Sequence, residues 1–187
     1  MTKLKIGAYC LLGWLMNTYN RFAKGIDVQT NFQSLRGYIR YENEGVLHIA
    51  RGVKINSGRI FNPIGGDTAT NLIVKKGAEL SIGRNTGISN STIFCAQKIH
   101  IGEYVLIGGS VKIYDTDFHP TDYMHRRGEN KNTTTSCRPV NIGSDVFVGA
   151  HTVILKGVDI GSRSIIQSGS VVHCDVPAGE IWGGNPA

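Results

Sequence analysis

The sequence predicts an all-β fold, a parallel β-helix built as a three-sided prism, on three observations. An aliphatic residue returns at every sixth position between Val140 and Pro177, as Ile142, Val148, Ile154, Ile160, Ile166 and Val172. Four residues after each stand Val146, Thr152, Val158, Ser164, Ser170 and Val176, all small or β-branched. Asn-Gly and Asp-Gly, the strongest hairpin signals, do not occur. A six-residue period is neither helical nor a plain strand alternation; it marks a hexapeptide repeat. A β-sandwich would instead alternate with period two and turn back every 8–12 residues or so. Each hexad is one short strand and a turn, and three hexads, about 18 residues, close one coil. Inward aliphatic residues then stack about 4.8 Å apart along the axis. Each one buried contributes roughly 1.5–3 kcal/mol, enough for a continuous inner stack to hold the prism.

The chain starts differently. Lys3 and Lys5 precede an apolar stretch from Ile6 to Met16. No small-x-small cleavage site follows it, and it is too short to span a bilayer. It reads as a helix from Lys3 to Lys24, within residues 1–25, ahead of a β-helix domain over residues 26–187. This helix packs on the first coil, or touches a membrane interface through Tyr9, Trp14 and Tyr19. Hexads then begin at Ile49, Ile55 and Phe61, and residues 62–71 (NPIGGDTATN) break the phase as a loop. Ile82, Ile88 and Phe94 resume it, and one extra residue shifts it before Ile101, Ile107 and Ile113. A long interruption covers residues 114–139, and regular hexads follow. The helix would cover one end of the stack. The residues from Trp182 to Ala187 offer little to cap the other.

Bulk composition narrows the function. The chain has 187 residues, a formal charge of +6, four cysteines and 24 glycines. The charge suits an anionic partner, but no Lys/Arg cluster interleaves with aromatics, so nucleic acid is not expected. Cys10, Cys95, Cys137 and Cys174 form no C-x-x-C pair. Scattered thiols of this kind indicate reduced cysteines and a cytoplasmic protein, with membrane association through the helix as the one variation. No metal centre is assigned.

Reactive residues concentrate where the repeat stops. The interruption reads YDTDFHPTDYMHRRGENKNTTTSCRP and holds His119, His125, Asp115, Asp117, Asp122 and Glu129. Loops of this length inside a compact fold are usually functional or disordered. His119 precedes Pro120, which biases it toward an extended backbone. Its imidazole suits a general base near neutral pH, with Asp117 or Asp115 to orient the ring. His48 and His100 sit beside inward positions and should face solvent. His125 reads as a surface residue, and His151 as one that could line a groove beside Ala150.

Three stretches now carry a resemblance: DTDFHP from Asp115 to Pro120, PVNIGSDVFVGAHTVILKGVDIG from Pro139 to Gly161, and GSVVHCDVPAGEIWGGNPA from Gly169 to Ala187. The chain resembles the hexapeptide-repeat acyltransferases, in particular the sugar O-acetyltransferases of the galactoside, maltose and capsule or exopolysaccharide kinds. The resemblance implies a left-handed β-helix, a homotrimer, and active sites between neighbouring subunits with the long loop reaching across. It implies His119 as general base and acetyl-CoA as the acyl donor. It places donor contacts at Ala150, through its backbone N–H, then at Ser168, His173 and Cys174. Asn90 falls near the family's sugar-binding asparagine. Phe147 stands where the family often has Trp, Cys174 where it often has Lys, and Ala96 near the position of a sugar-binding Asp. These departures imply an acceptor other than a small galactoside, within the class of sugars and glycans.

Two rivals use the same fold. One is an N-acetyltransferase acting on a nucleotide-linked amino sugar, separable by comparing amine with hydroxyl acceptors. The other is a metal lyase like the γ-type carbonic anhydrases, with His119, His125 and either His100 or His151 as ligands that must converge on one point.

Overall fold

The structure, a computed structural model, describes residues 3–31, 34–64, 68–128 and 135–187. Within the first helix it describes the side chains of residues 11–20, 22 and 23. Glu129, residues 65–67 of the first expected loop, and the side chains of Tyr9 and Cys10 lie outside the described residues.

The chain forms a left-handed parallel β-helix with three walls of six, seven and six strands. Every strand pair is parallel, each strand bonding to its equivalents on adjacent coils. The inner stacks follow the predicted period. Ile49, Ile82, Ile101, Ile142 and Ile160 align in the first wall. Ile55, Ile88, Ile107, Val148 and Ile166 align in the second. Leu72, Ile93, Ile113, Ile154 and Val172 align in the third. All of these side chains are buried.

The small residues at the fourth following position have a physical reason. Thr152, Ser164 and Ser170 are fully buried, and each hydroxyl donates to a turn carbonyl, at Gln167, Pro177 and Gln167 respectively. A buried hydroxyl is tolerated only when it is paired in this way.

Two sequence expectations fail here. Phe94 does not point inward: Ile93 does, and the phase slips one residue earlier than expected. Phe61 leaves the stack for a turn, where its amide donates to Gly58 O at 3.1 Å. Both aromatics sit where an insertion or a slip begins, so spacing alone counts them into the wrong column.

The ends are covered differently from one another. Helix α1 (Lys3–Ala23) crosses the first coil. Asn17 is buried there and donates to Leu35 O and Gly37 O, each at 3.2 Å. Gly13 faces the same backbone so closely that a Cβ would lie 3.1 Å from Gly37 O. At the other end the terminal residues provide the cap that the sequence seemed to lack. Ile181–Trp182 adds a seventh strand to the second wall. Ala187 N donates to Val171 O at 2.9 Å, and Trp182 and Ala187 pack on the core.

Candidate active site

The long interruption leaves the third wall after the strand Lys112–Tyr114 and returns at Val140. Its base is closed by an antiparallel bridge between Thr116 and Cys137 and by Arg138 N donating to Asp115 O at 2.9 Å. Asp115 is buried, and its carboxylate accepts the amides of Ala96, Gln97 and Lys98 at 2.6, 2.7 and 2.8 Å. It therefore anchors the loop to the preceding coil, with its carboxylate turned to these amides and not to the His119 ring.

His119 follows a tight turn. Phe118 has φ of +62°, and His119 N donates to Asp117 O at 2.7 Å across it. The Phe118 ring packs edge-on against Phe94 at 4.8 Å and Tyr114 at 5.0 Å between centroids. The misassigned Phe94 is thus part of the platform that fixes the loop. His119 itself is exposed, and no hydrogen bond from a described residue reaches its ring. The Asp117 carboxylate pairs with Lys156 Nζ at 3.0 Å, so the structure does not bring it onto the His119 ring. Beyond Pro120, Asp122 caps a short helix α2 (Tyr123–Arg126) by accepting Met124 N at 2.7 Å, and His125 lies in that helix.

The residues expected to meet the acyl donor fall on two corners. Ala150 and Ser168 stand two residues past the paired Val148 and Ile166, in one column with Gly109 and Asn90. This column precedes the third-wall strands Val153–Ile154 and Val171–Val172. The Ala150 N–H has no acceptor among the described residues. A shallow groove of about 260 Å³ runs beside it, lined by Asn62, Ile64, Ser89, Gly109, Ala150 and His151. His151 lines this groove next to Ala150. His173 and Cys174 follow the third-wall strands, on the corner from which the loop departs, and both approach Ala187 O, at 3.2 and 3.7 Å. Within one chain, then, the His119 loop and the Ala150–Ser168 column occupy different corners.

Asn90 lies inside the fold. Its side chain is buried, accepts Gly58 N at 2.6 Å and donates to Asn62 O at 3.2 Å. It pins the insertion after Asn56 through Asn62, which lines the groove beside Ala150. His48 and His100 lie on the outer faces of their strands, against Asp27 and Ser81. Among the described residues no three His, Cys, Asp or Glu side chains come together to hold a metal ion.

Known proteins resemble this chain. Residues 139–174 match the family model described as bacterial transferase hexapeptide (six repeats). The Saccharomyces cerevisiae (strain ATCC 204508 / S288c) protein YJL218W, described as a candidate acetyltransferase, is 33% identical over 159 residues, 79% of this chain and 79% of its own length. The chain belongs to the hexapeptide-repeat transferases. Another member, the galactoside O-acetyltransferase of Escherichia coli (strain K12), is 37% identical over 111 residues, 59% of this chain. The chain spans about half of that relative's length, 52%. A solved structure of the hexapeptide-repeat acetyltransferase VCA0836 from Vibrio cholerae O1 biovar eltor, in complex with acetyl coenzyme A, is also similar. It is 39% identical with a TM-score of 0.52, covering 57% of this chain and 56% of that one.

For a hexapeptide-repeat transferase, two positions here escaped sequence reasoning. Phe118 carries the loop on Phe94 and Tyr114, and Lys156 holds Asp117. Phe94 could have been found from the phase slip beside it. Lys156 sits in an otherwise ordinary hexad and gives no such signal.

Proposed function

We propose that this protein transfers an acetyl group from acetyl-CoA to a hydroxyl of a sugar or glycan precursor, with His119 as general base. One observation carries the reading: an exposed imidazole, free of described partners, held by a fixed turn whose aromatic residue is packed on the prism. The second corner suits the donor, since Ala150 lines an open groove with its N–H unengaged and the Ser168 side chain is exposed on the next coil. The galactoside and acetyl-CoA relatives support the same substrates.

In this mechanism His119 takes the proton from the acceptor hydroxyl. The resulting oxygen attacks the thioester carbonyl, the C–S bond breaks, and the imidazolium returns its proton to the leaving thiolate. A backbone N–H at the corner stabilises the oxyanion. Asp117 acts at a distance, by holding the stem of the turn through Lys156.

The two corners meet only if one subunit's loop reaches the next subunit's Ala150 column, so we assign the site to a homotrimer. An exposed apolar ladder supports this assembly: Leu106, Phe147, Ile165 and Ile181 lie in register on the outside of the second wall. Contiguous exposed apolar surface of this kind marks an interface.

The test offers acetyl-CoA with a panel of galactosides, oligosaccharides, nucleotide sugars and amino sugars, follows thiol release, and maps the product by NMR. An O-acetyl ester is expected. His119→Ala should lower turnover by about 10²–10⁴ while leaving the sedimenting mass unchanged. Turnover unaffected by that substitution would sink the assignment, and an amide product would move the activity to amines.

A further inference from the structure

We propose that the outward face of α1 docks on an anionic lipid surface. The helix is amphipathic in the reverse of the usual sense. Its small and polar residues, Gly13 and Asn17, face the prism, as does Lys24, just past its end, whose Nζ donates to Tyr41 O. Its large apolar residues face away: Leu11 is 58% exposed, Leu15 49%, Tyr19 71% and Phe22 76%. At 3.6 residues per turn these four share one side, opposite Gly13 and Asn17. Beside them Leu12 and Met16 form, with Tyr38, Ile60 and Phe61, an open groove of about 870 Å³ that extends the apolar surface onto the first coil.

Two observations choose the occupant. The first is charge. Apart from Lys24, which turns to the prism, residues 1–26 contain Lys3, Lys5 and Arg21 and no acidic residue, and Arg59 is exposed at the groove. A cationic apolar helix with Trp14 and Tyr19 partly open to solvent matches the anionic headgroup layer. The second is discontinuity. The ladder proposed as the subunit interface ends at Gly87, and the next outward residue toward α1 in that column is Lys54, with Arg36 exposed on the terminal strand. Charged residues therefore separate the two apolar patches, and the α1 face is not an extension of the ladder. Among the described residues no helix is long and apolar enough to cross a membrane, and the proposed contact lies in the plane of the surface.

The full chain is sedimented with equimolar phosphatidylcholine and phosphatidylglycerol vesicles, with phosphatidylcholine vesicles alone, and at rising salt. Binding to the anionic vesicles that weakens with salt is expected. Leu15→Glu with Phe22→Glu should reduce it by about tenfold or more. Both side chains are exposed, so the variant's thermal unfolding should match the parent's and report that it is folded. Three results would overturn the proposal: no binding of the parent chain, equal binding to neutral vesicles, or a double variant that binds as before but has a smaller sedimenting mass. The last would assign the face to a second copy. None of these depends on acetyl transfer.

Discussion

Phe118 packs edge-on against Phe94 with ring centroids 4.8 Å apart, and this contact fixes the turn that carries His119, the proposed base. His119 is the next residue, and its own ring touches no described hydrogen-bonding partner. Its position is therefore set through the backbone of the turn. Phe118→Ala removes two edge-on ring contacts worth roughly 0.5–1.5 kcal/mol each. For a chain of this size we expect a melting temperature lower by about 2–12 °C. Turnover should fall about tenfold through misplacement of the base, with little change in KM for acetyl-CoA. Steady-state kinetics beside a thermal melt would check this, and a rise in KM with unchanged kcat would contradict it.

Asp115 and Asp117 are two residues apart and do different work. Asp115 accepts three buried amides, so Asp115→Ala leaves those donors unpaired and should cost about 3–5 kcal/mol, measured by urea unfolding. Asp115→Asn keeps one acceptor oxygen and should cost less. Turnover of whatever remains folded should stay near the parent level. A large loss of turnover in a fully stable Asp115→Asn would restore the orienting role.

Asp117 and Lys156 form an ion pair whose side chains are both mostly shielded. A double-mutant cycle with Asp117→Asn and Lys156→Met should give a coupling of about 1 kcal/mol in stability. The two single variants should lower turnover by similar factors, and the double variant no further. Loss confined to Asp117→Asn would mean that its carboxylate reaches His119 during the reaction.

These outcomes trace what the sequence could and could not reveal. The inner columns were legible because one physical demand, an aliphatic side chain stacked on its counterpart, repeats without change. His119 was legible because His-Pro stands in a break. Asp115 was misread because a carboxylate beside a histidine looks the same whether it faces the ring or a row of amides from the previous coil. The bonds of Asn90 were not legible either: they reach Gly58 and Asn62, more than two dozen residues away in the chain. Phe94 was misplaced by a one-residue slip, which turns a side chain to the other face of its strand. The reversed amphipathy of α1 was hidden because its composition does not say which side meets the prism.

Burial pushes the Cys95 thiol up to about 12, with the Asp115 carboxylate adding to the effect. At neutral pH it should resist alkylation, while the exposed Cys174 reacts. Peptide mapping after brief iodoacetamide treatment of the native protein would show this. The same shift sets a direction for stability. Between the unfolded thiol's value of about 8.5 and 12, the native chain keeps a proton that the unfolded chain has lost. Stability therefore falls as pH rises through that window. Burial also raises Tyr41 and Tyr114, which add to the fall at higher pH. Cys95→Ala should flatten the slope between pH 9 and 11 by close to one proton, about 1.4 kcal/mol per pH unit. An unchanged slope would mean that the thiol is ionised in the fold.

Gly149 and Gly169 are both glycines near the proposed donor column, but the prism needs them for different reasons. A Cβ at Gly149 would lie 2.5 Å from Ser168 N on the next coil, a distance that rigid backbone cannot relieve. The same crowding occurs at Gly108 below Ala150, at 2.7 Å, so the corner coils stack only through glycine. Gly169 has φ of +76° and nothing within 4 Å of where a Cβ would be. Gly169→Ala therefore meets only the cost of a left-handed backbone, roughly 1–2 kcal/mol. Gly149→Ala must separate two coils or bend the corner, and should cost about 3 kcal/mol or more. It should also weaken acetyl-CoA binding, because Ala150 and Ser168 would no longer be in line. Thermal melts with and without acetyl-CoA separate the two effects: stabilisation by the ligand should persist in Gly169→Ala and shrink in Gly149→Ala. Equal ligand stabilisation in both variants would remove the Ala150–Ser168 column from the donor site.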